Sequence, residues 1–326
     1  MKINDKNSMD LSIVIPLFNE EESIPELTSW IEKVMISNHF SYEILYIDDG
    51  SKDDSWSIIK NIAAKNDHIK GISFQRNYGK SAALYVGFIK AQGEIVITMD
   101  ADLQDNPEEI PEMVRMIRED GFDLISGWKK IRHDPVLSKI LPSKLYNWTV
   151  RRMTHIKLHD MNCGLKAYKK QVIKSIEVYG DMHRFIPVLA KWAGYKKIGE
   201  KVVKHQERKY GVTKFGLERF IRGPLDLISV MFISKFGKRP MHFFGVLGTL
   251  MFTVGLGAAS WVGIQKLIAL SHGIKAPLVT DNAYFYIALT SMIIGSQFFL
   301  AGFIADLVSR NSIDRNKYMI YETLND

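Results

Sequence analysis

Asp100 and Asp102 stand two residues apart at the end of an apolar, β-branched run, Ile95 to Met99. Alternate residues of an extended chain point to the same side, so this triplet offers two carboxylates to one hard cation such as Mg²⁺ or Mn²⁺. A cation held there would bridge diphosphate oxygens and stabilise charge on a leaving nucleoside diphosphate. Acids are common where strands run into loops, so the triplet gains weight only from its neighbours. Pro16-Leu17-Phe18-Asn19-Glu20, Asp48-Asp49-Gly50-Ser51 and Gln75-Arg76-Asn77 also follow apolar runs and carry acids, amides or a guanidinium.

These groups can act together only if the runs before them lie side by side. From Leu11 to Ile131 short β-rich runs alternate with helical ones, the pattern of a largely parallel sheet covered by helices. Strands are predicted at Ser12–Leu17, Tyr42–Asp48, Ile69–Phe74, Glu94–Met99 and Asp123–Ser126, with helices near Ser23–Ile36, Asp54–Lys65, Lys80–Ala91 and Pro107–Glu119. Asn106 is placed to cap the last helix, with Pro107 as its first residue. Ligands of such sheets bind beyond the carboxyl ends of the strands, where all four polar turns fall. After Ile131 the pattern loosens, with a helix expected between Val136 and Thr154 and a loop at His159–Gly164.

Other chemistries find no support. His133, His155, His159, His183 and His205 show neither zinc-ligand spacing nor a Cys partner. A phosphate-cradling P-loop, a nucleophile elbow and a G-x-G-x-x-G turn are absent from the sequence, so the doubly wound pattern is not that of a dinucleotide dehydrogenase. The single Cys163 excludes an internal disulfide and fits a reducing compartment.

The 326 residues suffice for an enzyme-sized domain with an appendage. Phe243 to Ile264 and Ala283 to Ala305 contain no charged side chain, and each is long enough, at about 1.5 Å per residue, to cross a bilayer. Lys235, Lys238 and Arg239 precede the first span, and Arg310, Arg315 and Lys317 follow the second, so both ends are expected on the cytoplasmic side. No signal peptide is read before Leu11, which leaves the N-terminal region cytoplasmic in this reading. Between Lys214 and Lys238, apolar and aromatic residues interleave with Lys and Arg around Gly223-Pro224, as in amphipathic helices at a membrane surface. Many basic residues lie between Lys196 and Arg239, so the net charge of +7 points to lipid headgroups or a phosphate ligand and not to nucleic acid. Four parts are expected: 1–213, a cytoplasmic catalytic domain; 214–239, interfacial helices; 240–309, two membrane spans at about 241–267 and 283–307; and 310–326, a cytoplasmic tail.

The motifs IVIPLFNEEESI, ILYIDDGSKDDS, FQRNYGKSAAL, MDADLQDNPEEIP, DMNCGLKAYKK and RKYGVTKF occur in this order. With the C-terminal hairpin they cover nearly the whole chain, which resembles family 2 glycosyltransferases of GT-A fold. Within them it resembles the polyprenyl-phosphate branch that includes dolichyl-phosphate mannosyltransferases and undecaprenyl-phosphate glucosyltransferases. The resemblance implies inverting transfer of a hexose from a nucleotide sugar to undecaprenyl or dolichyl phosphate at the inner membrane, with Mg²⁺ or Mn²⁺. It places Pro16, Phe18, Asn19, Glu20 and Asp49 around the base and ribose, with Arg76 and Lys80 nearby. Asp100 and Asp102 would hold the metal and diphosphate, Gln104 would lie close, and Asp160 would stand near the reacting centre. Arg208 and Lys214 match phosphate-contacting positions, with Thr213 where many relatives have Ser.

Lys129, Lys130 and Arg132, after the fifth strand, are further candidates for the acceptor phosphate, as are His183 and Arg184. The donor is expected to be a UDP-sugar, with GDP-mannose next. Gly245, Gly248, Gly255 and Gly257 in the first span permit self-association. Two other readings compete. A processive polysaccharide synthase would carry a Q-x-x-R-W motif, where this chain has Gln206-Glu207-Arg208-Lys209-Tyr210. A non-catalytic membrane scaffold or lipid-carrier transporter would not need Asp100, Asp102 and Asp160.

Overall fold

A computed structural model describes residues 9–130, 151, 152, 154, 156–206, 209, 210, 240–274, 278–311 and 320–325. The chain divides into two units, Met1–Leu227 with Asn316–Asp326, and Ile228–Arg315.

The first unit is built on one eight-stranded sheet in the order β7-β5-β6-β4-β1-β2-β3-β8. β1 (Leu11–Leu17), β2 (Tyr42–Asp48), β3 (Ile69–Phe74) and β4 (Ile95–Thr98) run parallel, and every residue of β1 and β2 is buried. That double burial explains their continuous apolar runs. Helices α1 (Ile24–Ser37), α2 (Ser55–Ala63) and α3 (Lys80–Lys90) make the crossovers, and α4 (Ile110–Arg118) leads to β5 (Leu124–Trp128). Ile24, Leu27 and Ile31 of α1 and Ile110, Met113 and Ile117 of α4 join the strands in one apolar core. Asn106 caps as expected, its side chain accepting the Glu108 N–H at 2.8 Å, although the first turn, Pro107–Glu109, is a 3-10 turn.

β1 continues to β2 and β3 on one side, whereas β4 pairs on its other side. The direction of winding therefore reverses between β1 and β4, and a crevice opens beyond their carboxyl ends. Three strands go beyond the predicted five. β6 (Lys166–Lys169) inserts antiparallel between β4 and β5, and β7 (Ile198–Val202) pairs parallel to β5 at one edge. Between them lie α5 (Lys170–Lys174), a 3-10 turn at Met182–Phe185, and α6 (Ile186–Trp192).

At the other edge β8 (Ile320–Leu324) lies antiparallel on β3, so this part of the chain is a strand of the sheet and not a simple tail. Glu322 accepts the Trp56 indole N–H at 2.9 Å and pairs with Lys60 at 2.9 Å.

The second unit contains α7 (Pro240–Ser271) and α8 (Ala283–Asn311), each long and apolar enough to cross a membrane. Gly248 and Gly295 bring the two backbones together: a Cβ on Gly248 would stand 2.6 Å from the Gly295 carbonyl oxygen. Apolar side chains such as Val246, Leu250, Leu267 and Ile287 are exposed along both helices.

Candidate active site

The crevice at the β1/β4 reversal gathers the polar turns. Asn19, with φ of 54°, bends the chain after β1. Its side-chain carbonyl accepts the Lys52 N–H at 2.8 Å, while its own N–H donates to Ser51 Oγ at 2.8 Å. The Glu20 N–H donates to Ser55 Oγ at 2.9 Å. The turns after β1 and β2 are thus fastened to one another, with Pro16 buried below and Phe18 and Glu20 half-buried.

The turn after β3 is held by Asp49, whose carboxylate accepts the N–H groups of Tyr78 at 2.7 Å and Gly79 at 2.9 Å. Burial lifts the Asp49 pKa to about 6, and repulsion from Asp48 adds to it, against the two N–H bonds that lower it. Gly50 allows the close approach, because a Cβ there would meet the Arg76 carbonyl carbon at 2.6 Å. Arg76 lies over the Tyr78 ring, 4.8 Å from its centre.

Asp100 lies at the end of β4 and pairs with Lys80, the first residue of α3. Burial alone would raise its pKa, but Lys80, Lys129 and Lys166 overcome that and hold Asp100 at about 2. Leu103, at φ of 60°, turns the chain sharply, and Asp102 Oδ1 accepts the Gln104 N–H at 3.2 Å. A β-branched or bulky residue at positive φ is strained, so the loop is held by outside contacts. Asp105, buried, accepts the Asp100 N–H at 3.3 Å and pairs with Lys129 at 2.9 Å. Burial works against the Lys129 charge, yet Asp105, with Cys163 and Asp100, raises its pKa. Gln104 accepts the Gln206 N–H at 3.0 Å, which ties the loop to the segment after β7.

Asp160 is 2% exposed and accepts the Asn162 N–H at 3.1 Å, and it is Asn162, Cys163 and Gly164 of its loop that line the same cavity as Asp100. The loop that follows passes so near Asp100 that any side chain at Gly164 would displace its carboxylate: a Cβ there would stand 2.6 Å from Asp100 Oδ2. Behind Asp100 a cavity of about 400 Å³ is lined by Pro16, Lys80, Asp100, Lys166, His183 and Arg184 among others.

The predicted residues Pro16, Lys80, Asp100 and Arg184 therefore share one cavity, and Asn19, Asp49 and Gln104 fasten the loops around it. Lys129 is drawn to Asp105, and Lys130 lies over the Trp128 ring at 5.8 Å. Arg132, Arg208, Lys214 and the amphipathic segment 214–239 lie outside the described residues. Sequence reasoning alone does not single out Asp105 or Lys166. The available signal for Lys166 is a lysine set between Leu165 and Ala167, both buried, in a short strand.

Among the described residues no three His, Cys, Asp or Glu side chains cluster as a ready-made metal cage. Asp100, Asp102 and Gln104 offer hard oxygen donors on one loop, a set that suits Mg²⁺ or Mn²⁺ completed by substrate phosphates and water. The Lys80 ammonium against Asp100 marks the same spot as one that attracts a cation.

The profile of the family described as "Glycosyl transferase family 2" matches residues 12–177. The chain is 36% identical over 310 residues to a protein named dodecaprenyl-phosphate galacturonate synthase from Rhizobium johnstonii, covering 93% of this chain and 88% of that one. It is 33% identical over 326 residues to an undecaprenyl-phosphate 4-deoxy-4-formamido-L-arabinose transferase from Shewanella sediminis, covering 98% and 94%. Among solved structures, mannosyl-3-phosphoglycerate synthase from Rubrobacter xylanophilus is similar with a TM-score of 0.55, at 14% identity over 70% of this chain and 75% of that one. Glucosyl-3-phosphoglycerate synthase from Mycobacterium tuberculosis gives 0.53, at 18% identity over 70% and 79%. At such identities these structures speak for the fold alone.

Proposed function

The chain belongs to glycosyl transferase family 2, with the GT-A fold, and from that premise we propose that it moves a sugar from a nucleotide to a polyprenyl phosphate at the inner membrane. The observation that carries this reading is the meeting of four polar turns at one crevice, with Asp100 and Lys80 on the wall of its cavity. Near-full-length similarity to two proteins named for polyprenyl-phosphate sugar products supports the choice of acceptor.

Pro16, Phe18, Asn19, Glu20 and Asp49 surround the nucleotide base and ribose in this reading, Arg76 lies beside them, and Lys80 stands at the diphosphate. Asp100 and Asp102, with Gln104 near, hold the metal. A divalent ion supplies neutralisation of charge on the departing nucleoside diphosphate. Lys80 adds fixed positive charge at the same end. Asp160 has a lesser task than a general base, because a phosphate monoester, with a second pKa of about 6, is mostly dianionic near pH 7. It orients the acceptor or the sugar while a phosphate oxygen displaces the nucleotide at the anomeric carbon with inversion. Arg132, Arg208 and Lys214 are assigned to the acceptor phosphate, with Arg184 and the Asp105-paired Lys129 as further candidates for it.

The two long apolar helices serve as membrane spans that keep the enzyme beside its lipid. The chain leaves the first unit before α7 and rejoins its sheet as β8, which supports both termini being on one, cytoplasmic, side.

A UDP-hexose is the favoured donor and GDP-mannose the next. The names of the two relatives add nucleotide-linked galacturonate and 4-deoxy-4-formamido-arabinose to the donors worth testing. The test is to screen these donors against undecaprenyl phosphate with Mg²⁺, with Mn²⁺ and with a chelator, and to weigh the lipid product. One sugar residue added per lipid phosphate, only with metal, is expected. Release of sugar to water alone, or growth of a polymer, refutes the reading.

A further inference from the structure

Lys166 is 4% exposed, opens β6, and lines the cavity behind Asp100. Its ammonium donates to the Cys163 carbonyl, and among the described residues it has no carboxylate partner. Burial pushes its pKa down. Arg184, from the 3-10 turn Met182–Phe185, lines the same cavity, and among the described residues its guanidinium makes neither a hydrogen bond nor an ion pair.

His183 lies beside both, with Nδ1 2.9 Å from Ser81 Oγ. Burial, with Lys80 and Arg184, holds its pKa well below the ordinary value, so it is a neutral ring there. The cavity's acids are Asp100, engaged by Lys80, and Asp181, which forms no ion pair among the described residues.

A buried ammonium whose one hydrogen bond goes to a carbonyl retains two unused N–H donors, and although Asp100 and Asp160 act on its charge from a distance, neither pairs with it, a costly state in the absence of an anion. Arg184 adds a planar fork of donors suited to two oxygens of one group. Three cations against two acids leave the cavity electropositive before any metal binds, which matches a multiply charged anion better than a neutral sugar.

We propose that Lys166 and Arg184 form an anion subsite in this cavity that takes a phosphoryl group of a substrate, from the nucleotide diphosphate or from the lipid phosphate. This rests on the glycosyltransferase reading above. Lys166 then gains a direct ion pair, which no carboxylate of the described residues gives it. The Asp105-bound Lys129 is the contrast, a cation already matched by its own carboxylate.

The test uses the full chain in detergent micelles and measures binding of UDP, GDP and farnesyl phosphate to the parent, K166M, K166R and R184Q. Each charge-assisted hydrogen bond lost is expected to weaken one class of probe about 10- to 100-fold. Loss confined to UDP or GDP assigns the subsite to the donor, and loss confined to farnesyl phosphate assigns it to the acceptor. K166R restores most of the affinity, which a mere packing role would not allow. If K166M lacks a cooperative melting transition, R184Q, at a half-buried position, decides by the same criterion.

Unchanged affinity for every probe in a folded variant overturns the inference, as does equal weakening of all probes with no rescue by K166R. A parent protein that binds none of the probes refutes the functional reading instead.

Discussion

Gly164 lies against the Asp100 carboxylate, which is assigned to the metal in the proposed function. A Cβ at this position would stand 2.6 Å from Asp100 Oδ2, 2.7 Å from Cγ and 2.8 Å from Oδ1, whereas ordinary contact begins at 3.4 Å. The methyl of G164A therefore drives the carboxylate back by about 0.8 Å. The obstacle is the end of a side chain and not backbone, so the fold absorbs the change for about 1 kcal/mol. Function is less tolerant, since the displaced group is the one that pairs with Lys80 and is assigned to the metal. A misplacement of about 1 Å at a reacting centre costs up to about 100-fold in rate, or about 2.7 kcal/mol of barrier. G164A is expected to melt within roughly 4 °C of the parent, to lose about 100-fold in sugar transfer, and to need more metal for half-maximal rate. G257A, a helical glycine whose added Cβ would meet nothing within 4 Å, should behave as the parent. Transfer by G164A within threefold of the parent would refute the geometric reasoning, and a loss that merely follows a collapsed melting transition would show that the glycine serves packing alone.

Two further outcomes test how the site and the sheet are held. Asp49 has a folded pKa of about 6 against 3.8 for the free group. Its contribution to stability is therefore fully present below about pH 4 and is lost as pH rises through about 6, by roughly 2–3 kcal/mol. The parent should lose that much relative to D49N between pH 4 and pH 7.5 in paired melting curves, and a constant difference would refute the assignment. At the β8 edge, Leu324 packs against the core and on Gly71, whereas Glu322 pairs with Lys60 with both side chains at least 36% exposed. L324A should cost about 1–2 kcal/mol, and E322Q, at an exposed ion pair, should shift the melting curve less than L324A does. The opposite ranking would mean that charge and not apolar contact holds this strand.

The sequence makes some of this architecture plain and conceals the rest, for a physical reason. β1, β2 and β4 are buried on both faces, so each is written as a largely apolar run, β3 shows as a shorter pattern around Ile69, Ile72 and Phe74, and the turns after them carry the polar residues that the crevice needs. β6, Lys166-Ala167-Tyr168-Lys169, has no such run. It becomes a strand because β4 and β5 leave a gap between them, a circumstance set far away in the chain. β7 is only partly buried, and β8 returns after two long apolar helices, so neither carries a local signal strong enough to find. Charge partners are hidden in the same way. Lys129 and Arg184 read alike in the sequence, as cations available to a phosphate. In the fold Lys129 meets Asp105 at 2.9 Å, while Arg184 meets no acid among the described residues. Asp105 in turn holds the Asp100 N–H, so Lys129 steadies the loop after β4 through it, and a phosphate would have to compete for its charge. With Lys80 engaged by Asp100, the cavity cations without a carboxylate partner among the described residues are Lys166 of β6 and Arg184 of the Met182–Phe185 turn, and these are the two to which the proposed anion subsite is assigned.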